Sequence, residues 1–198
     1  MLDRKMNRLI ATSSVAVRFG AMALVGFAAS AVGMAPAVVG ATATSQASSI
    51  CSKVPASEVA AIVGYSVPTG QLDAITLPAT KTNYEISTKS ISCTYGNETS
   101  LATIPKVVTL TIETTSKSLT TAEIKQSLAK VASDGVKMTI KPYSGLGGTA
   151  YYFTFSEAGI NAQGLSVFNG THGFGAAVET NKLSLAKLAQ LTKLAGSL

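Results

Sequence analysis

Residues 90–95 read Ser-Ile-Ser-Cys-Thr-Tyr, and this stretch decides the fold. Ile91, Cys93 and Tyr95 alternate with small polar residues, which is the period-two pattern of a strand that buries one face. Cys93 therefore points inward. The second cysteine of the chain, Cys51, stands just before a short helical pattern. A bridge between the two cysteines would tie that helix to the sheet.

Two cysteines in an exported chain pair by default. A bridge from Cys51 to Cys93 closes a loop of about 43 residues, which the chain-entropy relation values at about 4 kcal/mol. A redox-active pair would normally be a close C-x-x-C motif. We therefore predict a structural disulfide.

Three segments carry helical spacing. Val59, Ile62 and Val63 share one helical face, and Gly64 follows as a stop. A capping box of the form Thr120-x-x-Glu123 opens a second helix that ends at Asp134-Gly135. The third helix runs from about residue 184 to 195 and turns its leucines inward.

Strand patterns fill most of the remaining chain. Apolar and polar residues alternate at 108–113 and again at 136–141, which is typical of an antiparallel sheet with one wet face. Further strands are predicted at 150–155, 164–168 and 174–179, whereas residues 66–88 indicate mostly loop, with one weak strand at 84–87. The predicted fold is α+β: an antiparallel twisted sheet with amphipathic helices packed on one face, closed by one disulfide.

The N-terminal segment has the features of an export signal. Four cations precede an apolar run, and Ala41-Thr42-Ala43 supplies the small residues of a cleavage site. The interpretation is a signal peptide at 1–43, a flexible tether at 44–50 and one globular domain at 51–198. The alternative is a membrane anchor formed by residues 19–40, which would be the chain's one membrane contact.

The charge balance argues against nucleic acid as a partner. The net charge is +6, and removing residues 1–43 leaves about 12 lysines against 9 acids and no arginine. Nucleic-acid recognition depends on clustered cations and on bidentate arginine, but these lysines are scattered singly.

Residues that could carry catalysis are few. His172 is the single histidine and lies in a glycine-flanked turn, which predicts an exposed hairpin residue. One histidine and two paired cysteines leave no ligand set for zinc, and no cofactor motif is present. Gly145-Leu146-Gly147-Gly148 precedes a strand rather than a helix, so we interpret it as a turn and not as a phosphate loop.

Aromatic residues at 151–155 divide between the two faces of a predicted strand. Tyr151, Phe153 and Phe155 share one face and are expected in the core. Tyr152 points the other way and, with Tyr143 beside the glycine turn, forms a candidate recognition surface that we extend to His172.

The Cys51 start before a helix ending at Gly64, the Cys93-x-Tyr95 strand and the Gly145-Leu-Gly-x-x-Ala150 turn together resemble a group of bacterial domains. These are small secreted or lipid-anchored actinobacterial domains of unknown function, some of which serve as extracellular sensors of membrane kinases. The resemblance implies a disulfide-closed α+β domain without enzyme activity. It transfers no functional residues, and this chain lacks the lipid-attachment motif.

The sequence thus favours a secreted, non-enzymatic binding or interaction domain of the bacterial cell envelope, with an envelope protein or a small ligand as partner. One alternative is a small hydrolase or enzyme inhibitor that uses His172 with a carboxylate brought close by the fold. Another is a carrier of a small apolar ligand held between the helices and the sheet.

Overall fold

The computed structural model describes residues 50–79, 86–96, 106–124, 126, 137–157, 160–180 and 182–198. Two helices and seven strands span these ranges. They are, in chain order, α1 (Ala56–Val63), β1 (Gln71–Leu77), β2 (Thr88–Tyr95), β3 (Val108–Thr115), β4 (Lys137–Tyr143), β5 (Thr149–Glu157), β6 (Ile160–Asn169), β7 (His172–Val178) and α2 (Leu185–Ala195).

The strands form one antiparallel sheet in the order β1-β2-β3-β7-β6-β5-β4. Two meanders, β1 to β3 and β4 to β7, meet where β3 pairs with β7. The predicted antiparallel sheet, its accompanying helices and the disulfide are therefore confirmed, in a molecule where strands predominate.

One side of the sheet, which we call the helix face, carries the main apolar core. α2 packs on β7, β3 and β6 and also contacts α1. Leu188 and Leu191 of α2 are fully buried among side chains that include Leu110 and Leu165 of the sheet. Ser184 caps α2 through its side chain, which accepts a hydrogen bond from the Lys187 amide. Gly64 ends α1 in the left-handed conformation.

The opposite side of the sheet, which we call the polar face, is also packed. Residues 121–124 are helical, and Ile124 joins Ile86, Tyr151 and Phe168 in a second apolar cluster on this side. Helical structure thus lies on both faces, whereas the sequence pattern predicted helices on one. Thr120 and Glu123 form the predicted capping box, with Glu123 N donating to Thr120 Oγ1 and Thr120 N donating to Glu123 Oε2.

Other sequence predictions also differ from the structure. Residues 71–77, predicted as loop, form β1, an edge strand with a single neighbour and several exposed side chains, so its sequence is free of a strict apolar alternation. Ile50, assigned to the tether, is helical together with residues 51–52 and packs against the main core. The weak strand predicted at 84–87 is not found in its described part, residues 86–87, because β2 begins at Thr88. The signal peptide, the rest of the tether, residues 84–85 and the helix end predicted at Asp134-Gly135 lie outside the described residues.

The last difference is the expected wet face of the sheet. Thr109, Thr111 and Glu113 of β3 are each at most 4% exposed, and Ser90 and Ser92 of β2 are equally buried. The alternation of side chains along β2 and β3 was predicted correctly. The burial was not, because the apolar residues that cover this face come from distant parts of the chain.

Candidate functional site

The Cys51–Cys93 disulfide forms as predicted, with the two α-carbons 5.5 Å apart. Tyr95 lies two residues after Cys93, on the same face of β2. It is fully buried, and its hydroxyl donates to the carbonyl oxygen of Val54 at 2.7 Å. Burial raises the pKa of Tyr95 to about 12, and the charge of Glu58 adds to the shift. The C-x-Y motif therefore fastens residues 51–54 to β2 twice, which is a structural role.

Tyr143 and Tyr152, predicted as a recognition surface, lie on the helix face and are half-buried against the main core. The Tyr152 hydroxyl donates to Gln163 Oε1 at 3.0 Å, and Gln163 Nε2 donates to the Leu183 carbonyl oxygen at 2.8 Å. Tyr152 thus supports the segment that leads into α2.

His172 is exposed at the β6–β7 hairpin, as its glycine-flanked turn predicted. The structure does not bring it to the tyrosines: Tyr152 pairs with Leu165 and His172 with Asn169, four residues farther along β6, or about 13 Å. The nearest acid in the strand register is Glu113, which pairs with the adjacent Gly173. Because successive residues point to opposite faces, the His172 and Glu113 side chains lie on opposite sides of the sheet.

A set of buried polar residues runs along the polar face of β2 and β3. We call it the polar ladder: Thr88, Ser90, Ser92, Thr94, Thr109, Thr111, Glu113 and Thr115. The members pair across the two strands, with Ser92 opposite Thr111 and Ser90 opposite Glu113. Ser92 and Thr111 share a hydrogen bond of 3.1 Å between their hydroxyls.

Two hydroxyls of the ladder, Thr88 Oγ1 and Thr94 Oγ1, have no hydrogen-bond partner among the described residues. Burial raises the pKa of the Glu113 carboxyl well above its ordinary value, and the facing Ser90 hydroxyl opposes the shift more weakly. Buried polar groups in native proteins are nearly always hydrogen-bonded. Thr88 and Thr94, with the buried Glu113 on the neighbouring strand, therefore mark a candidate binding site.

The strand next to the ladder carries almost no side-chain volume on this face. Gly173, Gly175 and Ala177 of β7 pair with Glu113, Thr111 and Thr109 respectively, and we call these three residues the glycine strip. A glycine inside a strand often marks a close approach of a ligand or of another backbone. At Gly175 the sheet itself also favours a glycine, since a Cβ there would lie 2.9 Å from the Leu165 carbonyl oxygen.

Beyond the glycine strip lie three aromatic side chains that we call the aromatic wall: Tyr151, Phe153 and Phe168. All three are buried, as was predicted for Tyr151 and Phe153. Tyr151 and Phe168 meet edge to face, with ring centroids 6.5 Å apart. The Phe153 ring lies over Gly164, where a Cβ would come within 2.1 Å of the ring carbon Cζ. The strip is thus bordered by the ladder on one side and by Phe168 and Ser166 of β6 on the other, with the Tyr151 and Phe153 rings one strand farther away.

Relatives give no guide to this site. No family model, curated protein or solved structure matches the chain. Within the described ranges, no three acidic, histidine or cysteine residues cluster as metal ligands, and no helix is long and apolar enough to cross a membrane. The site is therefore defined by the ladder, the strip and the wall alone.

The sequence reasoning missed this site. The signal lay in β7, where Gly173, Gly175 and Ala177 alternate with Phe174, Ala176 and Val178. This pattern gives one face large side chains and the other face almost none. Glu113 was a second signal, because it lies in the middle of a strand. It was passed over because an acid that shares a strand face with Thr111 and Thr115 is easily assigned to solvent.

Proposed function

We propose that this chain is a non-enzymatic binding domain of the bacterial cell envelope, whose ligand binds at the polar ladder. One observation carries the proposal: the Thr88 and Thr94 hydroxyls are buried on one face without hydrogen-bond partners among the described residues. A ligand that hydrogen-bonds to them would remove the cost of burying these groups, which is about 1–3 kcal/mol for each.

The surroundings of the strip support a pre-formed site. The disulfide and the Tyr95 hydroxyl fix the N-terminal segment to β2, the strand that supplies half of the ladder. Ligand sites are mostly apolar with a few convergent polar groups, and they are largely formed before the ligand arrives. The aromatic wall supplies the apolar side chains and the ladder supplies the polar groups of such a site.

Export is part of the same proposal. Disulfides persist in oxidising compartments, so the bridged cysteines fit a domain that works outside the cytoplasm, delivered by a cleaved signal at 1–43 or held at the membrane by residues 19–40. The enzyme alternative has less support, because the His172 side chain and Glu113 lie on opposite sides of the sheet. The apolar carrier has less support because the unpartnered groups are polar.

The test uses the full chain exported from an actinobacterial host. Mass spectrometry of the exported protein gives its N-terminus, which we expect near residue 44, and a native spectrum gives the mass of the folded species. We expect an additional small mass that disappears on denaturation. It should also disappear from a Glu113→Leu variant that retains the circular dichroism of the wild type.

Two results together would contradict the proposal. They are a native spectrum that contains the bare chain alone, and no change in Tm when the small-molecule fraction of an envelope digest is added. A compound that binds the folded chain but not the unfolded chain raises Tm by mass action. A binding domain should therefore respond to at least one of the two measurements.

A further inference from the structure

We infer that this chain forms a two-fold dimer, in which β1 of one copy pairs antiparallel with β1 of a second copy and the pairing is centred on Ile75. The inference goes beyond the proposed binding function and does not depend on the polar ladder. It rests on the difference between the two edge strands of the sheet, on the exposure of β1 and on the position of its one charged side chain.

The edge formed by β4 carries the residues that prevent strands of separate molecules from pairing. β1 and β4 stand at the two ends of the strand order, so each has one neighbour among the described strands. Lysine and proline on an edge strand are common means of blocking edge-to-edge contact. β4 contains Lys137, Lys141 and Pro142, and a proline offers no N–H to an incoming strand. β4 is therefore a protected edge.

The edge formed by β1 lacks this protection. The strand contains neither lysine nor proline, and it pairs with β2 residue by residue over its whole length without a bulge. Gln71, Ala74 and Thr76 are exposed, and Ile75 is half-buried. A regular, exposed edge strand presents backbone donors and acceptors that pair readily with another strand. We therefore expect a second strand to cover this edge in the working protein.

A second copy of the chain is the occupant that leaves both outer edges protected. Two β1 strands related by a two-fold axis pair antiparallel, and the assembly closes after two copies. The combined sheet then ends in a β4 strand on each side, with the lysines and the proline of that strand. Pairing of β1 with β4 of another copy would instead bring β1 against the protected edge and would leave the assembly open.

The register follows from Asp73, the one charged residue of β1. Successive residues point to opposite faces of a sheet, so a two-fold axis that keeps both faces continuous passes through a residue. An axis at Asp73 would set the two carboxylates directly opposite each other at about 5 Å, and an axis at Ala74 would set them at about 7 Å. An axis at Ile75 separates them by four residues along the strand, or about 13 Å.

Charge and side-chain contact favour the same centre. A separation of about 13 Å exceeds the Debye length of about 8 Å at physiological salt, so the repulsion between the two Asp73 carboxylates is screened. The same register places each Ile75 opposite its own copy, and an apolar β-branched pair across two strands is favourable. The half-buried Ile75 side chain would thus be covered by the contact.

The first experiment is sedimentation velocity of the exported, oxidised chain over a series of concentrations. The 7 residues of β1 are fewer than the about 20–30 residues a side of a standard interface, so we expect a reversible dimer that dissociates on dilution. Ile75→Lys places two like charges on the axis and should leave only monomer. Thr139→Lys, at an exposed position of β4, is the matched control and should dimerise as the wild type does. Circular dichroism checks that both variants fold.

The second experiment tests the register by cross-linking. Directly opposite α-carbons of an antiparallel pair lie about 4.5–5.5 Å apart, which is within the about 4.4–6.8 Å range of a disulfide. Ile75→Cys should therefore form a covalent dimer in the presence of oxidised glutathione. Gln71→Cys is the control on the same strand, because its copy would lie eight residues away, or about 26 Å. Peptide mapping confirms that Cys51 and Cys93 remain paired with each other.

Three results would overturn the inference. The first is a wild-type chain that stays monomeric at the highest attainable concentration. The second is a dimer that Ile75→Lys leaves unchanged, or an association that continues beyond two copies, since either would place the contact elsewhere on the molecule. The third is cross-linking of Gln71→Cys as fast as that of Ile75→Cys, which would indicate random collision rather than a fixed register.

Discussion

The two attachments of residues 51–54 to β2 should be energetically coupled, and a double-mutant cycle measures that coupling. Replacing both cysteines in C51A/C93A opens a loop with a sequence separation of 42 residues. By the chain-entropy relation this lowers the free energy of unfolding by about 4 kcal/mol. Tyr95→Phe removes the hydroxyl that donates to the Val54 carbonyl oxygen, which should cost about 1.5 kcal/mol because the buried carbonyl keeps no equivalent partner.

The combined variant should lose less than the sum of the two changes. Without the disulfide, residues 51–54 can move away from β2, and the Val54 carbonyl then recovers a hydrogen bond with water. We expect a coupling of about 1 kcal/mol, in the range found for groups that share one contact region. Denaturant unfolding followed by circular dichroism gives all four free energies, and Tyr143→Phe, at a half-buried tyrosine of β4, controls for the loss of a hydroxyl in general.

Two results would refute this reasoning. One is a loss below about 1 kcal/mol for C51A/C93A, which would mean that the loop is already ordered in the unfolded chain. The other is strict additivity of the cysteine and tyrosine changes, which would mean that the two attachments hold different parts of the structure.

Three further predictions concern single positions. Glu113→Gln should stabilise the protein near neutral pH and have no effect below about pH 4. Burial raises the pKa of Glu113 in the folded chain, so above the ordinary pKa the unfolded chain releases a proton that the folded chain retains; the resulting loss of stability grows until pH reaches the raised pKa and then stays constant, as unfolding curves at several pH values would show. Gly164→Ala should cost about 1–3 kcal/mol, because the new methyl group would overlap the Phe153 ring, and Phe153→Leu in the same chain should recover part of the loss in Tm. Thr120→Ala should cost about 1 kcal/mol through loss of the capping box, whereas Thr121→Ala, at an exposed neighbour, should leave the thermal transition in place.

Much of the architecture was predictable from local patterns. Cys93 and Tyr95 share a strand face through period-two alternation, and their inward direction led to the correct disulfide. The third predicted helix and the three last strands were also found close to their expected positions, because each has a strong pattern and a clear stop signal. β1 was missed because an edge strand with Gln71 and Asp73 needs no regular apolar alternation.

The candidate site was not predictable in the same way. Which face of β3 meets solvent depends on Ile86 and Ile124, which are brought to that face by tertiary packing rather than by any pattern in β3 itself. Tyr143 and Tyr152 were chosen for their chemistry, yet the strand register places them on the side where α2 packs. Alternation assigns a residue to a face, and only the complete fold decides what covers that face.

The order of the strands has a consequence for when the site exists during the protein's life. The ladder belongs to the first meander, β1 to β3, whereas the glycine strip and the aromatic wall belong to the second, β4 to β7. Each half can assemble from neighbours in sequence, but the two borders of the site face each other only after β3 has docked on β7. If the chain is exported as we propose, the two borders would therefore meet only after both meanders have left the export channel.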